Sequence, residues 1–174
     1  MNQMVHTEKA SAPKTAPPKE AGRTNDPART MAEILAVATH EFADKGLTGA
    51  RIDEIAAATR TSKRMIYYYF GSKDGLYLAV LEEAYRRMRA IESDLHLDDQ
   101  PPLEALQKLV EFTYDHHRDN EDFIRLVMNE NIQRGDYLRQ SSGIQQLNQN
   151  AIRSVRDVYD RGVAQGVFLS LIHI

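Results

Sequence analysis

The sequence predicts an all-α chain, with three short helices at the N-terminal side followed by an antiparallel helical bundle. Two observations carry that expectation. Every strong hydrophobic period is helical, with apolar residues returning three or four positions apart. Capping and stop residues (Asp, Ser, Pro, Gly) also fall where those periods begin and end.

Residues 1 to 26 are rich in Pro, Ala, Thr and Lys and nearly lack large apolar side chains, so they read as a disordered arm. Order is expected to begin at Asp26-Pro27, an N-cap followed by the residue best suited to the first helical position. Met31, Ile34, Leu35, Ala38 and Phe42 recur at helical spacing, and Gly46 supplies a stop. A second helix fits Ile52 to Ala58, with Ile52, Ile55 and Ala56 inward. A third fits Ser62 to Phe70, capped by Thr61 or Ser62 and ended by Gly71.

A fourth helix starts at Ser72 and places Leu76, Tyr77, Val80, Leu81, Ala84, Tyr85, Met88 and Ile91 on one broad face. The prolines of "HLDDQPP", His96 to Pro102, interrupt the helical pattern. Further helices follow near Leu103 to His117, Glu121 to Gln133 and Ile144 to Val163. The last carries an apolar seam of Ile144, Leu147, Ala151, Ile152, Val155, Val158, Tyr159 and Val163.

Composition excludes several function classes. The 174 residues contain no cysteine, which removes disulfides, thiolate zinc sites and cysteine nucleophiles. No apolar run reaches the roughly 18 residues of a membrane span. No membrane partner is therefore expected, and the cytoplasm is the expected location. A net charge of -3 rules out nucleic-acid binding through global positive charge, so any polyanion site must be a local patch.

Such a patch lies in "TRTSKRMIYYYFGSKDGLY", Thr59 to Tyr77, where Arg60, Lys63, Arg64 and Lys73 precede the lone Asp74. Three short helices, the third basic and closely following the second, form the pattern of a helix-turn-helix. The major groove, about 12 Å wide, admits one helix that presents donors outward while its other face holds the core. Ile66, Tyr67 and Phe70 are expected inward. Lys63, Arg64, Tyr68 and Tyr69 are expected on phosphate or in the groove, with Arg64 the best placed for a guanine.

Helix starts at Thr61-Ser62 and Ser72-Lys73 would add two backbone clamps on phosphate. Consecutive tyrosines diverge by about 100° on a helix, which argues against a base-stacking platform.

The segment "ILAVATHEFADKGLTGARIDEIAAATRTSKRMIYYYFGSKDGLYLAVLE" resembles the DNA-binding domain of tetracycline-repressor (TetR) family regulators. The matching positions are Phe42, Gly46, Ile55, Ala56, Ser62, Tyr67, Phe70, Ser72 and Lys73, and the resemblance covers about residues 28 to 88. It implies a homeodomain-like helix-turn-helix over 27–75 that binds a double-stranded operator. It also implies an effector-binding and dimerising helical domain over 76–168, repression by default, and release by a small molecule.

Two positions depart from the family pattern. Arg60 stands where a glycine is usual, so either the turn is built differently or Arg60 is kept for a phosphate. Arg51 replaces a Ser or Thr cap, and again a phosphate contact is the alternative.

Tyr85, Met88, Phe112, Phe123, Leu126, Val127 and Met128 are candidates to line an effector cavity, the plain alternative being packed core. The cluster "YDHHRDNEDF", Tyr114 to Phe123, raises a metal, but adjacent histidines on a helix diverge, so neither metal nor cofactor is expected. No catalytic constellation can be placed, so an enzyme is not expected.

The terminal "LSLIHI", Leu169 to Ile174, reads as a translated sequencing adapter. The natural protein would then be longer and a homodimer, with dimerisation doubtful in this chain. The competing readings are an enzymatic or ligand-binding bundle with an incidental basic stretch, and a non-specific architectural DNA protein.

Overall fold

The computed structural model describes residues 26–170; the expected N-terminal arm up to residue 25 and the last four residues of the expected adapter tail lie outside them. Among the described residues seven α-helices follow one another: α1 Pro27–Gly49, α2 Ile52–Ala58, α3 Lys63–Phe70, α4 Lys73–Ser93, α5 Pro102–Asp119, α6 Glu121–Ile132 and α7 Ser142–Ala164. Single 3-10 turns, Leu97–Asp99 and Leu138–Gln140, sit before α5 and α7.

Local chemistry sets the helix ends. Asp26 Oδ1 accepts from the backbone N–H groups of Ala28 and Arg29 at 3.1 and 3.3 Å, with Pro27 at the first position. Gly46 takes φ +65°, which breaks α1 before its last turn. The α2 boundaries coincide with the sequence expectation, and Ile52, Ile55 and Ala56 are buried.

One main core joins the helix-turn-helix to the bundle. Ile34, Phe42, Ile55, Ile66, Leu76, Tyr77, Leu126 and Ile144 belong to it, contributed by α1, α2, α3, α4, α6 and α7. Burying each such side chain is worth about 1.5–3 kcal/mol. The edge of the Tyr77 ring meets Phe42 at 5.1 Å between centroids and so ties α4 to α1. A smaller cluster of Leu97, Ala105 and Val158 closes the far end of the bundle.

Three apolar positions differ from the sequence expectation. Ile91 is 48% exposed, because Glu92, one helical turn beyond Met88, continues the inward row instead. Ile152 and Val155 also stay exposed on α7 because they border an open cavity, whereas Ile144 and Val158 are the buried contacts.

Glu130, on α6, is fully buried. Its carboxylate accepts from the Tyr77 hydroxyl at 3.0 Å and from the Tyr137 and Leu138 backbone N–H groups at 3.2 Å each. Three donors satisfy the carboxylate where water cannot. The α6–α7 connection thereby folds back over the start of α4.

Candidate nucleic-acid interface

The turn between α2 and α3 closes by three backbone hydrogen bonds. Thr59 N donates to Ile55 O at 3.0 Å, Arg60 N to Ala57 O at 3.3 Å and Thr61 N to Ala56 O at 3.0 Å. This is a Schellman arrangement with Arg60 left-handed at φ +53°. The turn therefore has the shape a glycine would give it, and Arg60 carries the strain with its side chain exposed.

Ser62, rather than Thr61, caps α3, its Oγ accepting from Met65 N at 3.2 Å. Thr61 is half-buried and closes the turn through its backbone.

Helix α3 divides into two faces. Ile66 is fully buried, and Tyr69 and Phe70 pack against the core one turn later. Lys63, Arg64, Tyr67 and Tyr68 face out, the two tyrosines 44% and 77% exposed. Two expectations are thereby corrected. Tyr67 is not a core residue, and Tyr69 turns inward instead of toward a groove.

The cause is the 100° step per residue: positions 69 and 70 share the face of Ile66, and position 67 does not. Lys63 pairs with Asp53 of α2. Both are exposed, so the pair is weak and leaves the ammonium able to change partners.

The start of α4 lies beside this face. Ser72 Oγ accepts from Gly75 N at 2.9 Å, and Lys73 Nζ donates to the Thr48 carbonyl at 3.3 Å. A carbonyl leaves the ammonium charge uncompensated. Gly75 permits the joint: a Cβ there would stand 2.1 Å from the Phe70 carbonyl oxygen.

Arg51 caps α2 without a side-chain hydrogen bond, and its own N–H donates to Glu41 Oε1 at 3.1 Å. Burial pushes the Glu41 carboxyl up, but the Lys45 ammonium and the Arg51 N–H outweigh it and hold it below the usual range. The exposed Arg51 guanidinium is thus not used locally as a cap.

Three open hollows adjoin Phe123 in the bundle: an apolar cavity, a polar one and a groove along α5 and α6. The apolar cavity, about 480 Å³, lies among α4, α5, α6 and α7 and brings together Tyr85, Met88, Phe123 and Val127 as expected from sequence. Leu109, Thr113, His117, Ile152 and Val155 also line it. Helical period placed Ile152 and Val155 on the α7 seam but gave no signal that Leu109, Thr113 and His117 would meet a cavity.

The remaining candidates do not join it. Leu126 is core, 1% exposed; Phe112 sits beside His116, 5.5 Å between ring centroids; Met128 is 55% exposed on the adjoining groove, which holds Tyr114 and Ile124 and shares His117, Phe123 and Val127 with the cavity. The polar cavity, about 490 Å³, is lined by Glu83, Arg87, Asp119 and Asp122 among others. Among the described residues no group of three His, Cys, Asp or Glu is placed to hold a metal ion. No described helix is long and apolar enough to cross a membrane.

A helix-turn-helix head sharing one core with a helical bundle defines a class of DNA-binding transcriptional regulator. Residues 34–80 match the family model described as bacterial regulatory proteins, tetR family, and residues 102–173 match the tetracyclin repressor-like C-terminal domain. The chain belongs to the TetR family.

It is 36% identical over 140 residues to the HTH-type transcriptional repressor NicS of Pseudomonas putida, covering 80% of this chain and 66% of that repressor. It is 34% identical over 139 residues to the HTH-type transcriptional repressor SCO4008 of Streptomyces coelicolor, covering 79% and 69%. The chain thus spans about two thirds of the length of these curated relatives.

Among solved structures, the TetR family regulator PfmR of Thermus thermophilus superposes with a TM-score of 0.66 at 26% identity, covering 79% of this chain and 74% of that one. The hemolysin II transcriptional regulator HlyIIR superposes at 0.64 and 25% identity, covering 85% and 82%.

Proposed function

We propose that this chain is a sequence-specific DNA-binding repressor that a small-molecule effector releases from its operator. The reader spans 27–75 and the effector-binding and dimerising bundle 76–168, and the protein acts in the cytoplasm as a homodimer, one reader per half-site. The observation that carries the reading is the outward face of α3. It sets Lys63, Arg64, Tyr67 and Tyr68 in the open between the Ser62 and Ser72 caps.

In this reading the two capped helix starts and Lys73 hold phosphates, which fixes register, while Arg64 and the exposed tyrosines meet base edges. Arg51 and Arg60 extend the phosphate contacts. The effector occupies the apolar cavity lined by Tyr85, Met88, Phe123 and Val127. Occupancy there changes the spacing of the paired readers, so that both no longer fit successive major grooves.

Selection from random duplexes tests this. One enriched motif is expected, with its binding weakened in Lys63→Ala combined with Arg64→Ala and the salt slope reduced by about 0.9 per lost phosphate contact. Binding without any enriched motif would make the protein an architectural one. Binding that survives the double substitution with an unaltered slope would remove α3 as the reader.

A further inference from the structure

The segment between α6 and α7 holds the first turn of α4 from the bundle side. The Tyr137 hydroxyl donates to Asp74 Oδ1 at 2.7 Å. Asp74 is the second residue of α4, next to Ser72 and Lys73. The Tyr137 ring meets the Tyr77 ring edge-on at 5.1 Å, and its backbone N–H is held by the buried Glu130. Farther along the same segment, Ser141 Oγ donates to Glu82 Oε1 at 2.6 Å, a second attachment to α4.

We propose that Tyr137 is a positioning residue for DNA binding: by holding Asp74 it keeps that carboxylate turned toward the bundle, away from the phosphate that Ser72 and Lys73 meet. The proposal rests on the reading that the starts of α3 and α4 grip a duplex. Asp74 is the one carboxylate beside that clamp on its own helix turn, and an unheld carboxylate there repels phosphate. The hydrogen bond keeps it turned toward the bundle.

Glu130 fixes Tyr137 from α6, the helix that also supplies Phe123 and Val127 to the cavity. Positions 123, 127 and 130 lie on one side of α6.

The test uses the full 174-residue chain and a fluorescent random-sequence duplex of about three helical turns at low salt, where phosphate contacts dominate affinity. Tyr137→Phe keeps the ring packing and removes only the hydroxyl. It should weaken binding about 3- to 10-fold, the worth of one ordinary hydrogen bond, since the Asp74 carboxylate is exposed. Asp74→Asn should bind at least as tightly as the parent, and adding Tyr137→Phe to it should change affinity little. A purely structural role would not make one effect depend on the other.

Parental affinity in Tyr137→Phe, or an equal loss in the Asp74→Asn background, overturns the proposal while a weakened Lys73→Ala control keeps the interface itself. Lys73→Ala binding like the parent refutes the phosphate clamp and this proposal together.

Discussion

Arg60 makes two opposed demands that one substitution separates. Its left-handed backbone, φ +53°, costs a residue with a Cβ about 1–2 kcal/mol. Glycine removes that strain but loses about 0.5–1 kcal/mol more chain entropy on folding. Taking the middle of each range, Arg60→Gly should therefore stabilise the fold by about 0.75 kcal/mol. The three hydrogen bonds of the turn involve only backbone atoms and stay intact.

With a urea slope of about 1–3 kcal/mol per molar, the unfolding midpoint should rise by about 0.25–0.75 M. If the exposed guanidinium also meets a phosphate, the same variant should bind DNA more weakly, with the salt slope smaller by about 0.9. Greater stability with weaker, less salt-dependent binding is the expected pair of results. A midpoint that stays or falls would refute the strained-turn argument, and an unchanged slope would remove Arg60 from the interface.

Two further outcomes follow from the packing. Gly75→Ala drives a methyl into the Phe70 carbonyl 2.1 Å away, so α3 and α4 must separate; the loss should be about 1–3 kcal/mol in thermal denaturation, and parental stability would contradict the close approach. At high pH, Tyr137 is pushed up to about 12, chiefly by its hydrogen bond to Asp74, and burial raises the Tyr77 phenol still further. A phenol raised by folding stabilises while protonated. That contribution is complete below about pH 10, the free phenol's range, and declines as pH rises through the folded value. Tyr137→Phe should flatten the alkaline loss of stability, and an identical pH profile would argue against the Asp74 contact.

The helix ends were legible because each depends on one or two adjacent residues. Asp26-Pro27, Gly46, Ser62, Gly71 and Ser72 act on the backbone within a turn, and the structure uses all five. The family motif and the basic patch were legible for the same reason, being continuous in sequence.

What only tertiary structure decided was the phase of each helix and the fate of its ambiguous residues. In the run Tyr67 to Tyr69 every side chain is chemically alike, so the anchoring of Ile66 in the main core decides that Tyr69 turns in and Tyr67 out. Leu126 and Val127 are both apolar, and the neighbours of α6 assign one to the core and the other to the cavity. Glu130 reads in sequence as one more solvated acid. It is buried because a segment seven and eight residues later folds back and brings two backbone donors to it. Local signals fix where helices begin and end, since capping acts over one turn. Burial is set by contacts between residues distant in the chain, which no short stretch encodes.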